Sequence, residues 1–261
     1  MIMDIISPQN PRVKHVVKLR EDKRQRQRDG LILVEGWDEI SMALASGLQP
    51  HTIFTALELA SRQMKDIGSR ALTVNRAVFE KMSCRENPDG WLALFPTPHA
   101  ALEDLRLGDT PLVIVAESIE KPGNLGAILR TADAASVDAL LVCDPRVDLY
   151  NPNVIRASRG AIFSVACIET SNQAALDYLR GHEMKILSAA PQADTLYTDV
   201  DLRQPLAIVV GTEDNGLTDF WLSHADVNVR IPMLGKVNSL NVSIAAALIT
   251  YEALRQRNLK T

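Results

Sequence analysis

Nowhere do the 261 residues hold a run approaching the about eighteen consecutive apolar residues that a membrane span needs, so no membrane-spanning helix is expected. The opening stretch M-I-M-D-I-I-S-P-Q-N lacks a basic region followed by an apolar stretch and a cleavage site, and the expected location is cytoplasmic. Cysteine is sparse: Cys84, Cys143 and Cys167 lie far apart, the last two inside apolar runs. That excludes a disulfide framework and a cysteine zinc site, and leaves small buried thiols. His15, His51, His99, His182 and His224 show no metal-ligand spacing, so no metal is expected. No G-x-G-x-x-G follows the first strand-like run of either half, and no G-x-x-x-x-G-K-[ST] loop occurs, which argues against a dehydrogenase or a P-loop protein. There is no internal repeat and no low-complexity tract.

What is present suits a folded chain with a real core: hydrophobic residues make up 46%, and the length allows one large domain or two modest ones. The formal net charge of −4 argues against a nucleic-acid partner, but it hides an asymmetry. Residues 12–30 carry eight basic side chains (Arg12, Lys14, Lys18, Arg20, Lys23, Arg24, Arg26 and Arg28) against three acids. A solvated helix face is the ordinary explanation of such a run. Cations concentrated on an otherwise acidic chain favour phosphate binding instead.

The pattern along the chain is strand alternating with helix. S-P-Q-N-P opens a helix in which Val13, Val16, Val17 and Leu19 or Arg20 fall on adjoining turns. L-I-L-V-E-G reads as a buried strand whose glycine serves the turn into the next helix. Helices are expected over Trp37–Ser46, Leu57–Ile67 and Arg76–Met82, and strands over His51–Thr55, Ala71–Val74 and Trp91–Phe95. Together these make a small N-terminal α/β domain over 1–97. The Pro-containing stretch 98–111 is the expected linker, and 112–261 the second domain. There the apolar runs Leu112–Ala116, Ala139–Cys143, Ser164–Ile168, Met184–Ser188 and Leu206–Val210 are continuous, as in parallel strands buried on both faces.

Ligands of such sheets bind beyond the carboxyl ends of the strands, and three polar clusters fall there. After Leu112–Ala116 comes E-S-I-E-K-P-G-N-L-G-A-I-L-R-T-A, where Asn124 is placed to cap a new helix and Arg130 to project from its second turn. After Leu206–Val210 comes G-T-E-D-N-G-L, with Glu213 between two glycines. The third, I-P-M-L-G-K-V-N-S-L-N-V-S over 231–243, reads as a strand end, a Gly-containing loop and a helix start. Ser239 or Asn241 sits where that helix needs a cap, and Val242, Ala245, Ala246, Ile249 and Leu254 form its apolar stripe. One cap does not account for Asn238, Ser239 and Asn241 crowded beside Gly235, a density of small polar groups that suits a ligand loop.

In this order, each after a strand, the three clusters resemble the signature motifs of the SpoU (TrmH-like) branch of the SPOUT RNA methyltransferases: N-L-G-A-I-L-R-T-A at 124–132, I-V-V-G-T-E-D-N-G at 208–216 and I-P-M-L-G-K-V-N-S-L-N-V-S-I-A at 231–245. More loosely, S-P-Q-N-P-R-V-K and L-I-L-V-E-G resemble the substrate-binding domain of ribosomal-RNA members. The resemblance implies an α/β catalytic domain with a parallel sheet and a C-terminal trefoil knot, carrying a smaller N-terminal α/β RNA-binding domain. It implies a 2′-O-ribose methyltransferase that uses S-adenosylmethionine and acts as a homodimer. By similarity, Gly211, Ile231, Met233 and Leu240 line the cofactor pocket, while Asn124, Arg130, Glu213, Ser239 and Asn241 form the catalytic surface. Arg12, Lys14, Arg24, Arg26 and Arg28 are the expected RNA contacts. Ribosomal RNA is the expected substrate; the alternatives are transfer RNA and, in another class, a non-catalytic RNA-binding assembly factor of the ribosome.

Overall fold

A computed structural model describes residues 4–62, 71–212 and 216–258, and the chain divides into two compact units. One comprises Met1–His99 with Tyr150–Ser164, the other Ala100–Leu149 with Val165–Thr261.

In the first unit, Asn10 accepts from the Arg12 N–H at 2.9 Å and Pro11 fills the first helical position, so α1 (Pro11–Glu21) starts where the turn residues end. Asp22 is extended; it breaks the helix and caps α2 (Lys23–Asp29) by accepting from the Arg24 N–H at 2.8 Å. β1 (Leu31–Glu35), α3 (Trp37–Ala45), β2 (Thr52–Thr55), β3 (Ala71–Thr73), α4 (Arg76–Met82) and β4 (Trp91–Pro96) follow. The sheet runs β1-β4-β2-β3, with β4 antiparallel to both neighbours and β2 parallel to β3. Val13, Val16 and Leu19 of α1 meet Phe79 and Met82 of α4 over Leu33, Phe54 and Leu92 to form the core. The helix expected over Leu57–Ile67 is absent from 57–62: the Ala56 carbonyl closes a single turn with the Leu59 and Ala60 N–H groups, while the Ala56 N–H is held by Gly90. Residues 63–67 lie outside the described residues.

The second unit begins with β5 (Leu112–Glu117), α5 (Pro122–Ala134) and β6 (Ala139–Cys143). The chain then gives residues 150–164, with helix α6 (Pro152–Ala157), to the first unit. There α6 packs on β1, and Val154, Ile155, Ala161 and Ile162 are buried, although the sequence assigns this stretch to the catalytic span 112–261. It returns as β7 (Ala166–Thr170), α7 (Asn172–Gly181), β8 (Lys185–Ala189), β9 (Thr195–Leu196), β10 (Leu206–Val210), α8 (Asp219–His224), β11 (Val227–Arg230) and α9 (Val242–Asn258). The sheet order is β7-β6-β5-β10-β8-β11-β9 with every neighbouring pair parallel. Each residue of β5, β6 and β10 is buried, as the unbroken apolar runs require of strands covered on both faces. The stretch 98–111 is no bare tether: Leu102, Leu105 and Leu107 pack against this unit's core. No helix among the described residues is long and apolar enough to cross a membrane.

Candidate functional site

β5 and β10 are adjacent although far apart in sequence, so the chain's crossovers open a crevice beyond the carboxyl ends of the central strands. Pro122 occupies the first position of α5 and Lys121 its N-cap, which corrects the expectation for Asn124: it is the third helical residue, not the cap. Pro fits that first position because its fixed φ is helical and its missing N–H would have had no partner there. Asn124 points inward instead and is 9% exposed.

Its partner comes from the third motif. Asn241, not Ser239, caps α9: its Oδ1 accepts from the Ser243 backbone N–H at 2.9 Å and from Ser243 Oγ at 2.7 Å. A backbone amide donates only, so the Asn241 amide has one orientation, and its Nδ2 donates to Asn124 Oδ1 at 3.1 Å. That in turn leaves Asn124 Nδ2 buried without a partner among the described residues, a donor of fixed direction between motifs one and three.

Beside this pair, at the ends of β8, β10 and β11, lies a cleft of about 650 Å³. Gly211, Ile231, Met233 and Leu240 all line it, as does Ser239. Its wall is apolar at Val210, Leu217, Val229 and Val242 and polar at Thr212, Gln192 and Asn238, a mixture suited to a nucleoside-sized ligand. Thr212 and Gly216 exchange two backbone hydrogen bonds of 3.0 Å, closing the second motif into a ring. Glu213 lies outside the described residues.

Arg130 is exposed in the third turn of α5 rather than the second, because the helix starts earlier than Asn124. Six residues on from Asn124, it sits about 120° round the helix and is not among the residues lining the cleft. The sequence reading also missed the far wall, Ala189–Gln192; the signal was a strand end of small residues followed by Pro191. Burial raises the thiols of Cys143 and Cys167 and pushes Cys84 up to about 12, so none of the three is a ready nucleophile. Among the described residues no group of three or more His, Cys, Asp or Glu is placed to hold a metal ion.

On the first unit, Arg12, Lys14, Arg24 and Arg28 are exposed on α1 and α2. Arg26 is not: it is 5% exposed and its Nη1 donates to the Leu19 carbonyl at 2.6 Å and the Arg20 carbonyl at 3.3 Å. The expectation that it contacts RNA is corrected, because the break at Asp22 turns it inward to serve the open carbonyls ending α1. His15 and Gln25 hold the Asp29 carboxyl down to about 2, so an anion sits inside the basic run.

Two family models match the chain: SpoU rRNA Methylase family over residues 111–251, and MRM3-like substrate binding domain over residues 10–93. The 23S rRNA (guanosine(2553)-2′-O)-methyltransferase RlmP of Bacillus subtilis is 28% identical over 95% of this chain and 97% of its own. A crystal structure of an RNA 2′-O ribose methyltransferase superposes with TM-score 0.89 at 42% identity, covering 98% of this chain and 100% of that one. The SpoU methyltransferase AviRb of Streptomyces viridochromogenes in complex with AdoMet does so with TM-score 0.85 at 26% identity, covering 95% and 99%.

Proposed function

This chain belongs to the SpoU rRNA Methylase family, and from that premise we propose that it transfers a methyl group from S-adenosylmethionine to a ribose 2′-hydroxyl of ribosomal RNA. The observation that carries the reading is the cleft at the carboxyl ends of β8, β10 and β11, which draws its lining from the second and third motifs together. A relative of matching fold is known with AdoMet bound, and relatives of matching length are named for 23S ribosomal RNA, which favours that substrate over transfer RNA.

When bound, the cofactor supplies a methyl already activated on a sulfonium. The chain's own task is to hold the acceptor oxygen in line and to accommodate the charge and proton it releases. Gly211, Ile231, Met233 and Leu240 embrace the donor through backbone and apolar groups. Asn124, Arg130, Glu213, Ser239 and Asn241 face the ribose. Arg130 brings a guanidinium, a planar fork of N–H donors, and holds a phosphate or the 2′ oxygen. The proton leaves through phosphate or water. Glu213 orients Arg130 or Asn241. Arg12, Lys14, Arg24 and Arg28 meet the RNA backbone.

The reading includes a C-terminal trefoil knot: the chain leaves β11, two strands away from β10, and comes back in α9 to pack on β10 and α5. It also includes a cytoplasmic homodimer. The outward face of α9 carries Ile244 (51% exposed), Leu248 and Tyr251 at helical spacing, continuous with Leu240 and Val237 of the loop beside the cleft. A second copy seated there comes next to α5, the helix of Arg130, because α5 packs on α9. Ile244→Glu with Leu248→Glu should sediment as a monomer with little activity; a parent chain already monomeric at micromolar concentration would refute the dimer.

The function itself is tested by incubating the protein with methyl-labelled cofactor and total ribosomal and transfer RNA, then digesting in alkali. Ribosomal RNA should retain label in an alkali-resistant dinucleotide, since a methylated 2′ oxygen cannot cleave its own linkage. Label in transfer RNA alone, or in neither, overturns the reading. In the same assay Arg24→Glu with Arg28→Glu should weaken RNA binding and flatten its salt dependence.

A further inference from the structure

Glu117 ends β5 and is 1% exposed. Among the described residues its side chain takes three hydrogen bonds, each from a donor on another element: Asn172 Nδ2 at 2.8 Å and Thr218 Oγ1 at 2.7 Å reach Oε1, and the Thr218 N–H reaches Oε2 at 2.9 Å. No glutamate is needed there to fill space, and an apolar residue would avoid the cost of burying a carboxyl group. What the position requires is a group that only accepts, because three donors converge on it.

Thr218 stands two residues beyond the second motif. From Val210 the chain runs through Gly211 and Thr212 to Gly216 and Leu217, all of which line the cleft, and Thr218 then begins α8. Thr218 makes no side-chain cap to its own helix; hydroxyl and N–H alike go to Glu117. α8 is tied a second time through the same group, since Asn172, which donates to Glu117, accepts from Trp221 Nε1 at 2.7 Å. The ring formed by Thr212 and Gly216 is thus joined at one end to the rigid strand β10 and at the other to a buried carboxylate on the adjacent strand β5.

We propose that Glu117 is a positioning residue for the methyl-donor pocket: by taking both donors of Thr218 it fixes Gly216 and Leu217, which line one wall of the cleft together with Gly211 and Thr212. The inference rests on the reading of that cleft as the S-adenosylmethionine site. A hydrogen bond to a charged group is worth enough that losing one of the wall's restraints should weaken the cofactor by about tenfold. The chemical step at saturating cofactor should be unchanged, because the wall contributes equally to ground state and transition state.

The test is calorimetry with S-adenosylmethionine on the full chain, paired with single-turnover methyl transfer at saturating cofactor and thermal unfolding. Glu117→Gln keeps one accepting oxygen but turns an amide NH2 towards at least one of the three donors, the Thr218 N–H if the oxygen stays at the Oε1 position, and should weaken binding with the saturated rate intact. Should that variant fail to fold, Thr218→Val decides: it removes one donor, should weaken binding in the same direction, and Thr218→Ser should restore it. Asn172→Ala removes one donor to Glu117 and the tie to Trp221 but leaves both Thr218 bonds to the carboxylate, so it should lower the unfolding temperature while keeping cofactor affinity. Parent affinity in Thr218→Val, or equal losses in Thr218→Val and Asn172→Ala, would reduce Glu117 to a general stabiliser and overturn the proposal. A parent chain that binds no S-adenosylmethionine would overturn the reading of the cleft, and this inference with it.

Discussion

Arg130→Ala should bind S-adenosylmethionine as the parent does and lose methyl transfer by about a hundredfold to a thousandfold, the range for removing one preorganised donor from a developing oxyanion. The two halves of this expectation have separate grounds. Affinity is kept because Arg130 is exposed, makes none of the cleft's lining and lies about 120° round α5 from the buried Asn124. Turnover is lost because Arg130 is the one cation of the first motif, 124–132, placed to receive the charge that grows on the 2′ oxygen. Arg130→Lys should recover only part of the rate: it restores the charge without the planar fork that grips two oxygens. Calorimetric loss of cofactor affinity in the alanine variant, or a saturated rate close to the parent's, would remove Arg130 from the chemistry.

The homodimer reading bears on the same experiment. Because the guanidinium is outside the cleft's lining, a second copy on the α9 face is the simplest way to bring it to a bound methyl group. Variants of Ile244 and Leu248 should then lower the rate as Arg130→Ala does, with cofactor affinity spared.

Those features were legible in the sequence where one local rule governs. Unbroken apolar runs gave away β5, β6 and β10, because a strand covered on both faces has no polar alternation. The helical period of Val13, Val16 and Leu19 is the buried face of α1. α9 buries Val242, Ala246 and Ile249 as expected, but Ser243, Thr250 and Ala253 complete the stripe while Leu254 is only half-buried, since small residues let α5 approach. Where two local rules competed the reading failed. Pro122 outranked Asn124 as the start of α5, and the break at Asp22 turned Arg26 away from the cationic face. What depends on tertiary contacts had no local signal: the packing of residues 150–164 with the first unit, the sheet order, and the convergence of Asn172 and Thr218 on Glu117.

Gly211→Ala should raise the dissociation constant for S-adenosylmethionine by at least about tenfold, a cost of about 1.4 kcal/mol, and lower the unfolding temperature as well. A Cβ on Gly211 would stand 2.3 Å from the Gly216 carbonyl oxygen and 2.5 Å from the Leu217 nitrogen, both backbone atoms that no rotamer change can move aside. Relief requires the ring to open by about an ångström, and the two 3.0 Å bonds between Thr212 and Gly216, worth about 1 kcal/mol each, stand directly in the way. Four of the residues displaced line the cleft, so the damage falls on the cofactor before it reaches the RNA. Gly216→Ala separates this from loss of stability. Its Cβ meets nothing within 4 Å, but its φ of 68° costs an L-residue about 1 kcal/mol, so it should unfold earlier while binding the cofactor nearly as the parent does. Equal cofactor losses in the two variants would mean that the tight seam between Gly211 and Gly216 is not what shapes this wall.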